Sequence, residues 1–396
     1  MNKAQILAGK RVLFVLPQLE LGGAERQALY LARHLKSLGC EVRVWGHHNP
    51  GLVIDECERA GIPWALYPFR WPCRKSSLFR VGWGFLRFLR ALRKEPADVI
   101  LAYCGWANVS AGLAWRWSPA KACIWGQRDV DGQSGDAVER FAYRRVSAVI
   151  CNAEHEIGYL RRILGETPAP ISVVYNGLDL EPPRKSRAEW RAELGIDQET
   201  VAAVMAANFR PEKDHLTLLS AWHKLLTDLP AGRPQPRLLL AGAPQHSYEA
   251  VYRLAESLKL LDTVKFLGQV KDVSGLLAAS DIGVLTSFHE GLSNSILEYM
   301  AGGLPVVVTD LPGNREVLGD NPLQAYCKPG DVSCLAARLQ ELLGDPDRRQ
   351  KLGRLNRHRA LTKFSITTMC EKMVGIIAGL LEDHTSRGSE RLKEHS

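Results

Sequence analysis

Short apolar runs separated by longer stretches of mixed polarity recur along the whole chain. In the first half they fall at 11–17, 41–46, 98–103, 122–127, 148–153 and 171–177, and in the second at 201–208, 237–242, 264–268, 282–287 and 305–310. Several are apolar throughout rather than alternating, as a strand must be when helices cover both faces of its sheet. Segments with apolar residues at helical spacing lie between them. Repeated strand–helix–strand order implies parallel sheets. A chain of 396 residues is too long for one ordinary core, so two α/β domains are expected. The break falls within 178–189, LDLEPPRKSRAE, where two prolines and mixed charges interrupt the pattern. The expected organisation is an N-terminal domain over 1–180 and a C-terminal domain over 181–365. A last helix over 366–383 crosses back to the first domain, and 384–396 form a polar, mobile tail.

Composition narrows the class. At 46% apolar and 24% charged residues, the chain reads as a soluble globular protein. No apolar run approaches the ~20 residues of a membrane-spanning helix. The run VLFVL after Lys10-Arg11 stops at Pro17 and reads as a buried strand rather than a secretory signal. Nine cysteines, with no C-x-x-C pair, argue against a disulfide framework and against zinc, and fit a reducing cytoplasm. A net charge of +8 suits nucleic acid, an anionic membrane or a phosphorylated small molecule. No nucleic-acid reader motif is present, so nucleic acid is not an expected partner.

The densest chemistry lies in the second half, FLGQVKDVSGLLAASDIGVLTSFHEGLSNSILEYMAGGLPVVVTDLPGNREVL. A strand ends near Ser287, a loop carries Glu290 and Gly291, and a helix holding Glu298 stops at Gly302-Gly303. The N–H groups of Leu292, Ser293 and Asn294 stand near that helix start, where free donors and the helix dipole favour an anion. Glu290 and Glu298 can accept hydrogen bonds from hydroxyls flanking a bound diphosphate, a ribose on one side and a hexose on the other. Taken alone, the two acids read as a solvated loop acid and a helix-surface acid; the surrounding motif changes that reading. ANFRPEKDH, 207–215, follows the first strand of the second half. There Arg210 and Lys213 either neutralise a diphosphate or decorate a solvated first turn. Gly22-Gly23-Ala24-Glu25-Arg26 follows the first strand of the chain, where glycines allow close approach of backbone to a ligand or simply form a tight turn. Tyr175-Asn176-Gly177-Leu178-Asp179 closes the first half.

In this order the motifs resemble the retaining nucleotide-sugar glycosyltransferases of family 4, which have the GT-B fold. The resemblance rests on Glu290-Gly291 to Glu298, Ala301-Gly302-Gly303, Leu304 to Val307, Gly313 to Glu316, the Pro-Glu-Lys ending at Lys213, Gly22 to Glu25, and Asn176-Gly177 to Asp179. It implies two facing Rossmann-like domains with a cleft between them, the acceptor in the first and a nucleotide sugar in the second. It gives Glu290 the donor sugar, Glu298 the nucleotide ribose, and Gly22 and Gly23 an approach to the diphosphate. Gly268, Val270, Gly291, Leu292, Ser293 and Asn294 complete the implied donor set. Catalysis falls to Lys213, Arg210 and Glu290, with retention of configuration and without a metal cofactor. Where the family has an arginine before Pro-Glu-Lys, this chain has Asn208, with Arg210 two residues later. Where the family has a histidine after the fourth strand, this chain has Trp125-Gly126-Gln127-Arg128-Asp129, so that Arg128 becomes a candidate for contact with phosphates or acceptor. Asp129-Val130-Asp131 has the form of a metal-binding D-x-D, which has no such role in this fold, and reads as loop acids. An epimerase or hydrolase of the same fold, or a non-catalytic scaffold, are the competing readings.

Residues 70–94 carry Arg70, Arg74, Lys75, Arg80, Arg87, Arg90, Arg93 and Lys94 and no acid, and 78–92 is rich in Leu, Phe and Trp. Such a segment lies on anionic lipid or packs as an ordinary helix with a solvated basic face. The first option implies peripheral attachment at the inner face of a membrane and a lipid-linked glycan acceptor, as in lipopolysaccharide or other cell-surface polysaccharide synthesis.

Overall fold

Thirteen strands form among the described residues of this computed structural model, which are 3–69, 78–128, 134–178, 181–230 and 232–393, without the side chains at 78–80 and 387–393. The first sheet contains β1 (Arg11–Gln18), β2 (Glu41–His48), β3 (Trp64–Leu66), β4 (Val99–Tyr103), β5 (Ala122–Gln127), β6 (Ala148–Cys151) and β7 (Ile171–Val173). The second contains β8 (Ala202–Ala206), β9 (Arg237–Ala241), β10 (Val264–Gly268), β11 (Ile282–Leu285), β12 (Val306–Thr309) and β13 (Ala325–Cys327). All pairings are parallel. The orders are β3-β2-β1-β4-β5-β6-β7 and β10-β9-β8-β11-β12-β13, so each sheet reverses direction beside its own first strand. This is the doubly wound, Rossmann-like arrangement. Its ligand sites form outside the carboxyl ends of the strands at the reversal, between β1 and β4 in one sheet and between β8 and β11 in the other.

The chain divides into two units. One comprises Met1–Gly177 with Ile366–Ser396, the other Leu178–Ser365. In the first, the central strands are buried on both faces, which explains their uniform apolarity. One face packs on helix Gly23–Ser37 and on the last helix, Ile366–Lys393, which contributes Met369, Cys370, Met373, Val374, Ile377, Ala378 and Leu381 to the core. The other packs on helices Leu78–Lys94, Gly105–Ala114 and Ala137–Tyr143 through Phe88, Leu92, Val109 and Tyr143. Gln27 fixes the end of the first unit. Its side-chain amide donates to the Gly177 carbonyl at 2.9 Å and accepts from the Gly177 N–H at 2.7 Å. A Cβ on Gly177 would lie 2.8 Å from the Ile366 Cα, so the Asn-Gly pair belongs to this close packing.

Two expectations need correction. Cys327 and Cys334 form a disulfide, with Cα atoms 5.7 Å apart, although no disulfide was expected. The two residues end a short edge strand and open the next helix, a juxtaposition that spacing alone does not reveal. The last helix continues to Lys393, past the apolar pattern, because polar side chains are compatible with a solvated helix. The helix expected in the basic segment forms as Leu78–Lys94 and runs through Gly82 and Gly84, since burial of Phe88, Leu89 and Leu92 outweighs their low helix propensity. Arg70, Arg74, Lys75, Asp129 and Asp131, with the Arg80 side chain, lie outside the described residues.

Candidate active site

The reversal point of the second sheet is flanked by the segments that follow β8 and β11. After β8 the chain passes Asn208 and Arg210, forms one 3-10 turn at Pro211–Lys213, and enters helix His215–Thr227 through Asp214. Asp214 adopts a left-handed conformation, φ 47°. Its carboxylate caps the helix by accepting from the Thr217 N–H at 3.2 Å. Burial raises the pKa of this acid. His215, next in sequence, stacks on Phe209 with centroids 4.4 Å apart, and burial pushes its pKa down to about 4. This underpinning holds Lys213 at the strand end.

After β11, buried Thr286 and Ser287 tie the second segment to its neighbours. The Thr286 hydroxyl donates to the carbonyls of Lys213 and Asp214 at 3.2 and 3.0 Å, and the Phe288 N–H donates to the Glu212 carbonyl at 2.8 Å. The two segments therefore form one platform. On it the Lys213 ammonium donates to Glu290 Oε1 at 2.5 Å, and the Ser287 hydroxyl donates to the same oxygen at 2.5 Å. Side-chain exposure is 23% for Lys213 and 9% for Glu290, so the pair is shielded more than a surface ion pair yet remains open to solvent on the lysine side.

Ser293 caps helix Asn294–Ala301, accepting from the Ile296 N–H at 3.4 Å. That helix is fixed to the end of β8 twice. The Ser295 hydroxyl donates to the Ala206 carbonyl at 2.6 Å, and the Ala206 N–H donates to the Tyr299 hydroxyl at 2.5 Å. These two residues were not singled out from the sequence, although their i, i+4 spacing puts both on one helix face. Glu298 sits on the same helix, half-buried. Leu292 is buried, whereas Gly291 and Asn294 are half-buried. Gly313 was read only as part of a motif, but it has a steric role. A Cβ there would lie 1.8 Å from the Gly291 carbonyl oxygen, so the helix beginning at Pro312 supports the Glu290–Gly291 backbone directly.

Other candidates sit further from this pair in role. Asn208 is turned to the segment after β9, its side-chain oxygen accepting from the Ala243 N–H at 3.0 Å. The Arg210 guanidinium donates to Gln245 at 2.8 Å and lies 3.8 Å from Glu212, half exposed. Gly268 has φ 62° at the end of β10, and Val270 is half-buried just beyond. In the first sheet, Gly22 precedes helix Gly23–Ser37, at the reversal between β1 and β4. A Cβ on Gly22 would meet the Glu25 carboxylate at 2.6 Å. Among the described residues no group of three His, Cys, Asp or Glu side chains is arranged to hold a metal, and no helix is long and apolar enough to cross a membrane.

Comparison with known proteins agrees with this geometry. Residues 21–182 match the family model "Glycosyltransferase Family 4" and residues 186–359 match "Glycosyl transferases group 1". N-acetyl-alpha-D-glucosaminyl L-malate synthase of Bacillus anthracis is 28% identical over 240 residues, 60% of this chain and 59% of that protein. UDP-Gal:alpha-D-GlcNAc-diphosphoundecaprenol alpha-1,3-galactosyltransferase of Escherichia coli is 23% identical over 258 residues, 61% of this chain and 65% of that one. The chain spans 51% to 65% of the length of three of the curated relatives it matches. The crystal structure of Anabaena HepE in complex with UDP-glucose shares the fold at TM-score 0.81 and 20% identity, over 93% of this chain and 100% of that one. With both halves matched by glycosyltransferase models and the fold shared end to end, the chain belongs to the glycosyltransferases of the GT-B fold.

Proposed function

We propose that the protein transfers a hexosyl group from a nucleoside diphosphate sugar to a lipid-linked glycan, a precursor of a cell-surface polysaccharide, with retention of configuration and without a metal ion. The observation that carries this reading is the Lys213–Glu290 pair, held at 2.5 Å across the two segments that flank the reversal of the second sheet. As the bond from the sugar C1 to the diphosphate breaks, negative charge gathers on the departing oxygen. A pre-positioned ammonium beside a helix N-terminus offsets that charge where it develops. Glu290 then faces the sugar, Glu298 the ribose, and the first unit takes the acceptor. Retention is taken from the resemblance to the retaining enzymes of family 4, with the acceptor attacking from the face that the nucleoside diphosphate leaves.

A basic aromatic face supports the membrane component. On helix Leu78–Lys94, Trp83 and Leu86 are exposed beside exposed Arg87, Arg90, Arg93 and Lys94. Arg93 donates to the Trp117 carbonyl at 2.9 Å, and Arg145 lies over both Trp117 and Phe141. Trp117 and Phe141 are themselves exposed, so the face extends over three elements. Each cation near an anionic surface contributes about 1 kcal/mol, screened by salt.

The test is acceptor-dependent release of UDP or GDP from UDP- and GDP-hexoses, with the product's anomeric configuration read by NMR. Release of free sugar without acceptor overturns transfer in favour of hydrolysis, and an inverted product overturns retention. Co-sedimentation with anionic vesicles should fall with salt and on changing Arg87 and Arg90 to Ser. Failure of the wild type to bind at low salt removes the membrane component and leaves a soluble acceptor.

A further inference from the structure

Helix Pro346–Lys363 of the second unit carries seven Lys or Arg and one acid, Asp347, which stands in its first turn. The cations divide by what they touch. Arg348 pairs with Glu341 at 3.2 Å, Arg349 donates to the carbonyls of Leu342 and Leu343, and Arg359 donates to those of Glu316 and Val317. These three bind the helix to its own unit. Its inner side does the same: Leu352 and Ala360 are buried, and Asn356 donates to the Leu304 carbonyl at 2.9 Å. Lys351, Arg354 and Arg357 are exposed and form no ion pair among the described residues. Leu355 and Leu361, 42% and 53% exposed, lie among them with exposed His358. Steps of three, four, seven and ten residues from Lys351 put Arg354, Leu355, His358 and Leu361 on its side of the helix, with Arg357 at the margin.

This outer face is unfavourable for the unit that carries it. Lys351, Arg354 and Arg357 are successive i, i+3 neighbours of like charge, which weakens a helix. Two leucines stand in water and add nothing to the core. An external anion relieves the first and an apolar phase the second. Cations alone suit any polyanion, but leucines set among them suit a lipid interface. There the apolar side chains enter the boundary between headgroups and acyl chains, while the cations stay with the anionic headgroups. Because the inner side is fixed by Arg348, Arg349, Asn356 and Arg359, the surface is presented without any prior rearrangement of the helix.

We propose that the outer face of helix Pro346–Lys363, through Lys351, Arg354, Arg357, Leu355 and Leu361, docks on anionic lipid. The partner is of the kind proposed above for the basic aromatic face of the first unit. The residues are different and belong to the second unit, so either face can fail alone.

The experiment is co-sedimentation of the full chain with vesicles of phosphatidylglycerol and phosphatidylcholine, with Arg87→Ser and Arg90→Ser as background so that the first-unit face is suppressed. The background protein should still bind at low ionic strength, and binding should fall as salt is added. Adding Lys351→Ser, Arg354→Ser and Arg357→Ser should weaken partitioning at least tenfold. Adding Leu355→Ser and Leu361→Ser instead, which leaves the charge untouched, should weaken it severalfold. All five side chains are exposed, so the unfolding midpoint should hold. Arg354→Gln alone, expected to weaken partitioning about fivefold, decides the matter if the triple variant is less stable. Vesicle binding by the wild type but none by the background protein overturns the proposal and leaves the first-unit face standing. Binding by the background protein that the triple substitution leaves unchanged also overturns it. So does an unchanged leucine variant that is held equally by a polyglutamate matrix, since the face is then a general polyanion surface. Wild-type binding that Arg87→Ser and Arg90→Ser leave intact, and that the triple substitution abolishes, supports the proposal and overturns the first-unit face.

Discussion

Replacing Gly313 by alanine adds one methyl group where the structure has no room for it. The new Cβ would lie 1.8 Å from the Gly291 carbonyl oxygen, 3.0 Å from its carbon and 3.1 Å from the Glu290 backbone carbonyl oxygen. A carbon–oxygen contact settles near ~3.3 Å, so one backbone must retreat by roughly 1.5 Å. Helix Pro312–Leu318 is the more firmly held, by Asn314 donating to the Thr309 carbonyl at 2.8 Å and by buried Val317 and Leu318. The partly exposed Glu290–Gly291 segment therefore moves. Glu290 Oε1 is 2.5 Å from both Lys213 Nζ and Ser287 Oγ, and a displacement of this size breaks both hydrogen bonds. Overpacking of this kind costs about 1–3 kcal/mol of stability, and a misplacement of about 1 Å at a reacting centre costs on the order of 100-fold in rate. The φ of Gly313 is one an alanine adopts without strain, so the effect is steric alone. The assay is turnover at saturating donor, with the unfolding midpoint measured alongside. Turnover within about twofold of wild type at an unchanged midpoint would refute the argument that this glycine positions Glu290, the factor of two being well inside the expected loss.

Glu298→Ala is expected to weaken nucleoside diphosphate binding by about 1 kcal/mol, the worth of a hydrogen bond to a ribose hydroxyl, while Glu290→Ala chiefly slows turnover. Unchanged titration calorimetry and unchanged rates in both variants would remove the assignment. Transfer is expected to persist in a chelator, because Lys213 and the helix start at Asn294 supply positive potential; complete loss restored by manganese or magnesium would contradict this. Burial alone would raise the Asp98 pKa, but hydrogen bonds from Arg11 and Lys121 outweigh it and hold the carboxyl at about 2. The folded pKa lies below the unfolded one, so this stabilisation is complete above pH ~4 and is lost as the pH falls toward ~2. Its size is about 2 kcal/mol, and Asp98→Asn should remove that part of the acid sensitivity in denaturant titrations across this range.

The strands covered on both faces were legible because continuous apolar runs such as VLFVL and ILAY leave no other reading. The edge strands Trp64–Leu66 and Ala325–Cys327 were not, whereas the equally short edge strand Ile171–Val173 was, because it opens the apolar run ISVVY. The junctions that carry Lys213, Glu290 and Ser293 were legible, because each lies between an apolar run and a segment of helical spacing. Ser287, Ser295, Tyr299 and the steric demand at Gly313 were not, because each acts across segments distant in sequence. Asn208 shows the converse. Its place in the motif pointed toward phosphate, but its side chain holds the segment after β9.

The division of the chain sets the order in which it can fold during synthesis. The second unit is one continuous insertion whose ends meet, Leu178 donating to the Phe364 carbonyl at 2.8 Å. It can close as soon as Ser365 has left the ribosome. The first unit, although begun earlier, lacks Met369, Met373, Ile377 and Leu381 until the last helix emerges. Its sheet keeps part of one apolar face uncovered, beside helix Gly23–Ser37, throughout translation of the 188 residues from Leu178 to Ser365. A stop at residue 366 would therefore leave a product whose second unit is complete and whose first unit exposes apolar surface and is prone to aggregate.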